Sequence, residues 1–92
     1  MKSIILQLIV RDHPGVMSHV SGLFSRRAYN IEGILCGKLN DKKHSKIFLQ
    51  INETEKLDLM IRQIKKLEDV LDAVVHEGEA AKMFDQLAEL CN

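Results

Sequence analysis

The alternation of hydrophobic and polar positions divides the first half of the chain into three elements. Ser3 to Arg11 is rich in β-branched residues and apolar at both odd and even positions, which is typical of a central strand covered on both faces. After the turn Asp12 to Gly15, apolar residues recur at helical spacing from Val16 to Ala28 and predict a helix of about three to four turns. Tyr29 to Leu39 is predicted to form a second strand, whose glycines favour a bulge or a close backbone approach at a sheet edge.

The next part of the chain predicts a hairpin and a second helix. The polar segment Asn40 to His44 is expected to be a hairpin loop. It leads into Ser45 to Ile51, where mostly apolar and polar residues alternate as in a strand. Asn52 and Glu55 have the spacing of a helix capping box. Apolar residues from Leu57 to Leu67 then follow the i, i+3, i+4, i+7 pattern of an amphipathic helix.

Two further elements are predicted at the C-terminal end. Val70 to His76 has the β-branched content and the alternation of a fourth strand, and Gly78 closes it. From Glu79 to Cys91, apolar residues at helical spacing predict a short amphipathic helix; they are Ala80, Met83, Phe84, Leu87 and Leu90. We therefore expect one domain over residues 1–78, with the helix over 79–92 as part of it.

The predicted order of elements is strand, helix, strand, strand, helix, strand. Right-handed crossovers place both helices on one face of an antiparallel sheet, which is the ferredoxin-like βαββαβ sandwich of the α+β class. Four apolar residues are candidates for the other face of the sheet: Ile5, Ile9, Phe48 and Val74. An apolar face of this kind suggests a partner surface, whereas scattered surface hydrophobes are the simpler interpretation.

Composition and charge narrow the class of protein. The chain has 92 residues, with 13 basic and 13 acidic side chains and a formal net charge of zero, so we expect no nucleic-acid partner. Cys36 and Cys91 form no paired motif, which indicates a reducing, cytoplasmic setting without disulfides. The run Ile4 to Val10 is too short to span a membrane and resembles a strand rather than a signal sequence. A domain of this size buries only about 60–65% of its unfolded surface, so oligomerisation would help its stability.

The turn Asp12 to Gly15 is the best candidate for a binding site. It joins a strand directly to a helix, so backbone N–H groups at the helix N-terminus point at whatever lies over it. A small anion suits such a turn, whether the carboxylate of an amino acid or a phosphate.

The sequence does not indicate catalysis or metal binding. His13 lies in the candidate turn, but an ordinary turn residue is a simpler interpretation than a general base. Cys36 is interpreted as a small core residue rather than a nucleophile. The first loop lacks the cysteines of a metal chaperone, and Phe48 is the one aromatic residue available for stacking on RNA. An acylphosphatase-like hydrolase, with Arg11 just before the turn, stays an open alternative.

The segment Arg11 to Cys36 resembles the opening of an ACT domain and, within that family, the small regulatory subunits of acetolactate synthase (acetohydroxyacid synthase). The most specific part is Pro-Gly-Val followed by Arg-Arg-Ala-Tyr-Asn-Ile-Glu-Gly. The stretch Leu67 to Val70, the Met83-Phe84 pair and the chain length also fit the short, single-ACT form. The ACT domain would then occupy residues 1–78.

This resemblance implies a non-catalytic subunit in branched-chain amino-acid biosynthesis. Such a subunit binds the large catalytic subunit, raises its activity and confers feedback inhibition by valine. The thiamine diphosphate, Mg²⁺ and FAD of the holoenzyme belong to the large subunit, so no cofactor is expected in this chain. A free-standing, amino-acid-sensing ACT regulator of another enzyme or of transcription is the alternative.

The resemblance also implies a homodimer formed through edge strands, with the effector at the interface. In the family, the effector lies between the first strand-helix loop of one chain and the start of the second strand of the other. The implied site for valine or a similar aliphatic amino acid consists of Asp12, His13, Pro14, Gly15 and Val16 from one chain and Asn30 and Ile31 from its partner.

Each of these residue types suits part of a zwitterionic ligand. Gly15 allows close approach to backbone N–H groups, and Asn30 can both donate and accept hydrogen bonds. Val16 and Ile31 would contact an aliphatic side chain. The family usually has Asn at the position of Asp12, and a carboxylate cannot donate to a ligand carboxylate, but it can accept from an ammonium group or cap the helix.

Overall fold

The computed structural model describes residues 2–12, 14–78, 82 and 86. The elements are β1 (Ser3–Arg11), α1 (Val16–Arg26), β2 (Ile31–Lys38), β3 (His44–Asn52), α2 (Leu57–Lys65) and β4 (Val70–His76). The sheet has the order β2-β3-β1-β4, and every neighbouring pair is antiparallel. This arrangement confirms the predicted ferredoxin-like fold. His13 and most of the predicted C-terminal helix, including Ala80, Met83, Phe84, Leu87 and Leu90, lie outside the described residues.

The core lies between one face of the sheet and the two helices. β1 and β3 are the central strands, and alternate residues on each point toward the helices and are buried. The sheet contributes Ile4, Leu6, Leu8, Val10, Ile47, Leu49 and Ile51, and the helices contribute Val16, Val20, Leu23, Phe24, Leu57, Met60 and Ile64. The prediction that β1 is central is therefore confirmed.

The opposite face of the sheet, called the outer face below, carries the four apolar residues predicted for it. The strand register shows which residues share this face, because residues directly opposite each other on neighbouring strands point to the same side of the sheet. Ile5 lies opposite Gln50 and His76, and Ile9 lies opposite Lys46. Phe48 and Val74 both lie opposite Gln7 on β1, on the same side as Ile5 and Ile9.

β2 is an edge strand, as predicted, and hydrogen-bonds only to β3 among the described strands. Its register shifts between Ile31 and Gly33, which confirms a bulge at the first glycine. Two large apolar side chains remain uncovered near its middle, with Ile34 45% exposed and Leu35 39% exposed. An edge strand with unpaired backbone groups and apolar side chains readily pairs with another strand.

The predicted capping box of α2 is wrong. Asn52 still belongs to β3, where it lies opposite Ser3. The helix begins five residues later, at Leu57. Thr54 shapes the turn instead, because its side-chain oxygen accepts from the Lys56 N–H (3.1 Å) and its carbonyl accepts from the Leu57 N–H (3.1 Å). Pairing with β1 therefore extends the strand beyond the predicted start of the helix.

Candidate functional site

The candidate turn starts from a firmly held strand end. Arg11 at the end of β1 donates its backbone N–H to Asp69 (2.9 Å) and its guanidinium to the Glu68 carbonyl (2.8 Å). The next residue, Asp12, donates its N–H to the Lys43 carbonyl (3.0 Å). The loops before β3 and before β4 thus hold the base of the turn in place.

Gly15 gives the turn its shape. It is the N-cap of α1 with a φ of 91°, a left-handed conformation that glycine adopts far more easily than other residues. Its carbonyl accepts the first helical hydrogen bond, from His19 (3.0 Å). Within the part of the chain that the structure describes, no side chain caps this end of α1 and no acidic residue occupies the first turn. No side chain of the described residues therefore competes with an anion at this end of α1, where the positive end of the helix dipole lies.

The carboxylate of Asp12 faces a cation from the sheet edge. Its Oδ2 lies 3.3 Å from Nζ of Lys38, the last residue of β2. The Asp12 side chain is 28% exposed and that of Lys38 is 68% exposed, so this pair adds little to stability. The positive charge of Lys38 does offset the negative charge that Asp12 brings to the turn. Lys38 was not predicted from sequence, because only strand order brings it to the turn.

Pro14 and Val16, the other described residues of this half of the site, differ in which of their groups reach the surface. Pro14 is exposed beside Gly15. Val16 is only 7% exposed and packs into the core, so its side chain is turned away from the surface. Its backbone N–H is then the part of Val16 that is available at the helix N-terminus.

Asn30 and Ile31 follow a well-defined end of α1. The Ala28 N–H donates to Ser25 (3.1 Å) and the Tyr29 N–H to Phe24 (3.0 Å), which is the Schellman pattern. Ala28 takes the left-handed position, with a φ of 52°, so α1 ends before the Ala28 predicted from periodicity. The rings of Phe24 and Tyr29 meet edge to face with centroids 5.5 Å apart. This contact fixes the direction in which the chain enters β2.

Hydrogen bonds then hold the start of β2. The Tyr29 hydroxyl donates to the carbonyl of Asn52. Asn30 is exposed and donates from Nδ2 to Oε1 of Glu32 (3.0 Å), while Ile31 is half-buried against the core. Neither Tyr29 nor Glu32 was predicted as a site residue.

An open groove of about 570 Å³ runs beside these residues, between α1 and β2. Its lining combines apolar side chains with hydroxyl and amide groups. It is lined by Ser21, Phe24, Ser25, Ala28, Tyr29, Asn30, Ile31 and Ile34. A small aliphatic side chain would find apolar contacts here, with polar groups nearby.

Within one chain the two groups of predicted residues lie at opposite ends of the sheet. The turn follows Arg11, which lies opposite His44, whereas Ile31 lies opposite Ile51 near the start of β1. A strand of nine residues is about 25–30 Å long. The structure thus brings Asp12, Pro14, Gly15 and Val16 together, and separately Asn30 and Ile31, but it does not bring the two groups together in one chain.

The structure also bears on cysteine burial, metal binding and membrane insertion. The interpretation of Cys36 as a core residue is wrong, because it is exposed on the edge strand β2. In residues 2–12, 14–78, 82 and 86, no three His, Cys, Asp or Glu side chains come close enough to hold a metal ion. Nor does any helix in that part of the chain have the length and apolar character to cross a membrane.

Comparison with known proteins agrees with this architecture. Residues 6–72 match the family described as the AHAS small subunit-like ACT domain. The small subunit of acetolactate synthase isozyme 1 from Escherichia coli K12 is 49% identical over 86 residues, which cover 94% of this chain and 88% of the relative. The acetolactate synthase small subunit of Mycolicibacterium smegmatis is 36% identical over 80% of this chain and 44% of its own length.

A solved structure and the family match lead to the same assignment. The acetolactate synthase small subunit of Thermotoga maritima superposes with a TM-score of 0.73 at 26% identity, over 82% of this chain and 47% of that one. This chain therefore spans about half the length of the Thermotoga and Mycolicibacterium relatives. Fold, family match and identity together show that the chain belongs to the ACT domains of the acetolactate synthase small-subunit family.

Proposed function

We propose that this chain is the non-catalytic, regulatory small subunit of a cytoplasmic acetolactate synthase. It would activate the large catalytic subunit and confer feedback inhibition by valine. The observation that carries the proposal is the N-terminus of α1 behind Gly15, which no side chain of the described residues caps, in a chain 49% identical to a named small subunit. The thiamine diphosphate, Mg²⁺ and FAD of the holoenzyme would reside on the large subunit.

The proposal requires a dimer, since neither end of one chain forms the whole site. The exposed edge strand β2 offers the seam, because antiparallel pairing with a second copy would satisfy its free backbone groups. A two-fold axis normal to the sheet places one residue of β2 directly opposite the same residue in the partner's β2. We choose Leu35 for this position, because it lies closest to the middle of the exposed stretch of β2. That register pairs Gly33 with the partner's Gly37. It also brings Glu32 close to the partner's Lys38.

This register would unite the two halves of the effector site. Lys38 contacts Asp12 within its own chain, and Glu32 contacts Asn30 within its own chain. If Glu32 lies beside the partner's Lys38, Asn30 approaches the Gly15 turn of the partner. Each dimer then has two equivalent sites, and each site takes residues from both chains.

The groups present match the parts of a zwitterionic amino acid. The ligand carboxylate would accept hydrogen bonds from the first-turn N–H groups behind Gly15. The ammonium group would donate to Asp12 and to the amide oxygen of Asn30. The aliphatic side chain would pack on Ile31 in the groove beside α1. His13 and Pro14 would flank the turn, and Val16 would contribute its N–H rather than its side chain.

Inhibition would follow from a change in dimer geometry. A ligand that bridges two chains stabilises the arrangement in which both halves reach it. It can shift the equilibrium by no more than its difference in affinity for the two arrangements. The large subunit would respond to whichever arrangement is populated.

A substitution of Gly15→Asp tests the site in enzyme reconstituted with the large subunit. A carboxylate at the helix N-terminus would repel the effector and replace hydrogen bonds to a charged group worth about 1.5–3 kcal/mol each. Valine inhibition should weaken by about a hundredfold or more, while activation is retained. Persistent inhibition would show that the site is assigned wrongly.

Gly78→Asp is the matched control. Gly78 also has a positive φ, of 66°, and like Gly15 it has no atom within 4 Å of an added Cβ. Both substitutions therefore impose a similar backbone strain of about 1–2 kcal/mol. Gly78 follows β4, at the edge of the sheet away from β2, so valine inhibition should be unchanged.

Calorimetric titration with valine, leucine, isoleucine and serine would identify the effector of the isolated protein. A parallel pull-down with the large subunit distinguishes a subunit of acetolactate synthase from a free-standing ACT regulator. Effector binding without a complex would instead support a free-standing ACT sensor.

A further inference from the structure

The ion pair between Asp12 and Lys38 joins two parts of the chain that are distant in sequence. Oδ2 of Asp12, in the turn before α1, lies 3.3 Å from Nζ of Lys38, the last residue of the edge strand β2. Strand register places Val10, Ser45 and Lys38 in one row across β1, β3 and β2. Val10 is buried against the helices, so this row lies on the helix side of the sheet. Lys38 therefore points to the same side of the sheet as α1.

A small residue separates Lys38 from the strand that leads into the turn. Ser45 lies between Lys38 and Val10 in this row, and it is only 4% exposed. β2 and β1 are two strand spacings apart, or about 10 Å, and the long stem of a lysine can cover much of that distance. A larger side chain at position 45 would stand in its path. The serine thus allows the Lys38 ammonium group to reach the turn.

The two charged groups of the pair remain in contact with water. The Lys38 side chain is 68% exposed and that of Asp12 is 28% exposed. An ion pair at this level of exposure contributes little to folding, so its separation costs little. Both groups can therefore exchange one another for the charged groups of a ligand.

A free α-amino acid carries the same two charges as this pair. Its ammonium group can donate to the Asp12 carboxylate in place of Lys38, and its carboxylate can accept from Lys38 in place of Asp12. A zwitterion inserted between the two side chains thus leaves every charged group with a partner. An amine or a carboxylic acid would satisfy one side chain and deprive the other of its partner.

We propose that Lys38 is an effector-binding residue, and that its pair with Asp12 recognises the zwitterion of an α-amino acid. The Lys38 ammonium group donates to the ligand carboxylate at the N-terminus of α1, while Asp12 accepts from the ligand ammonium group. Lys38 and the turn belong to the same chain, so this contact does not depend on the register of the dimer. The inference rests on the proposed function, because it adds Lys38 to the effector site around Asp12 and Gly15.

Calorimetric titration of the full-length protein with L-valine tests this role. Lys38→Met removes the charge but keeps a long side chain, and it should weaken valine binding by about tenfold, as expected for one hydrogen bond to a charged group. Lys38→Arg keeps a cation and should remain within about threefold of the wild type. Lys46→Met is the matched control: Lys46 lies opposite Ile9 on the outer face, so its loss should leave valine binding unchanged.

The Asp12→Asn background separates direct contact with the ligand from an effect transmitted through Asp12. If Lys38 binds the ligand carboxylate, the addition of Lys38→Met to Asp12→Asn should weaken valine binding by about tenfold again. No further loss in that background, or unchanged binding by Lys38→Met alone, would overturn the proposal.

The wild-type protein distinguishes failure of this inference from failure of the proposed function. Valine binding by the wild type that Lys38→Met leaves unchanged would refute only the role of Lys38. Absence of valine binding by the wild type would refute the valine site itself, and the role of Lys38 with it.

Discussion

The substitution Leu35→Asp examines the proposed dimer at its two-fold axis. Leu35 lies on the edge strand β2 and is 39% exposed in the single chain. If the axis passes through this position, the substitution places two carboxylates directly opposite each other across the new strand pair. Like charges in that position destabilise a sheet.

The expected loss combines two contributions. Full burial of a leucine side chain is worth about 1.5–3 kcal/mol, so covering its 39% exposed part contributes roughly 1–2 kcal/mol for the two copies. Two carboxylates about 5 Å apart at a partly solvated surface repel each other by about 1–3 kcal/mol. The dimer should therefore weaken by about 2–5 kcal/mol, which corresponds to roughly 30-fold to several thousand-fold in its dissociation constant.

Sedimentation equilibrium over a concentration series measures this constant, and Leu71→Asp is the matched control. Leu71 is 46% exposed and lies on β4, the opposite edge strand, so it carries the same change at a site away from the seam. The dimer should be unaffected by Leu71→Asp. If Leu71→Asp dissociates the dimer and Leu35→Asp does not, the pairing through β2 is refuted.

Three further predictions concern single side chains. Asp12→Asn replaces the carboxylate that accepts from the ligand ammonium group with a neutral amide, so titration calorimetry should show valine binding about tenfold weaker; unchanged or tighter binding would contradict the role given to Asp12. The hydrogen bond with His44 (2.6 Å) lowers the pKa of Asp41 below its ordinary value of 3.8, so its stabilising effect is present above that value and is lost as the pH falls through the lowered pKa. Asp41→Asn should thus be less stable than the wild type in denaturant unfolding at pH 7 and equal to it in strong acid, and a difference that persists in acid would count against this pair. Tyr29→Phe removes the hydrogen bond to Asn52 and should reduce the free energy of unfolding by about 1 kcal/mol, whereas an unchanged value would show that this bond contributes nothing.

The order of the elements could be predicted from sequence because periodicity is strong where one face of each element is buried. Ile47, Leu49 and Ile51 alternate with more polar neighbours, and all three are fully buried on one side of β3. Right-handed crossovers then leave little freedom in topology. β2 was placed correctly at an edge, because its glycines and bulge suit a strand with one neighbour.

The errors lie where contacts distant in sequence override local patterns. Asn52 has a good N-cap side chain, yet backbone pairing with Ser3 retains it in β3. Cys36 occupies a helix-side position of β2, but the edge of the sheet leaves it exposed. The partner of Asp12 could not be predicted either, because Lys38 reaches it only through the strand order.

The separation of Gly15 and Asn30 to opposite ends of the sheet has a genetic consequence. In the proposed dimer, one chain damaged at Gly15 and one damaged at Asn30 would form one doubly damaged site and one intact site. Two chains that are each unable to bind effector should therefore complement one another when co-expressed. With random assortment, about half of the dimers are mixed and about a quarter of all sites recover, so valine sensitivity should partly return.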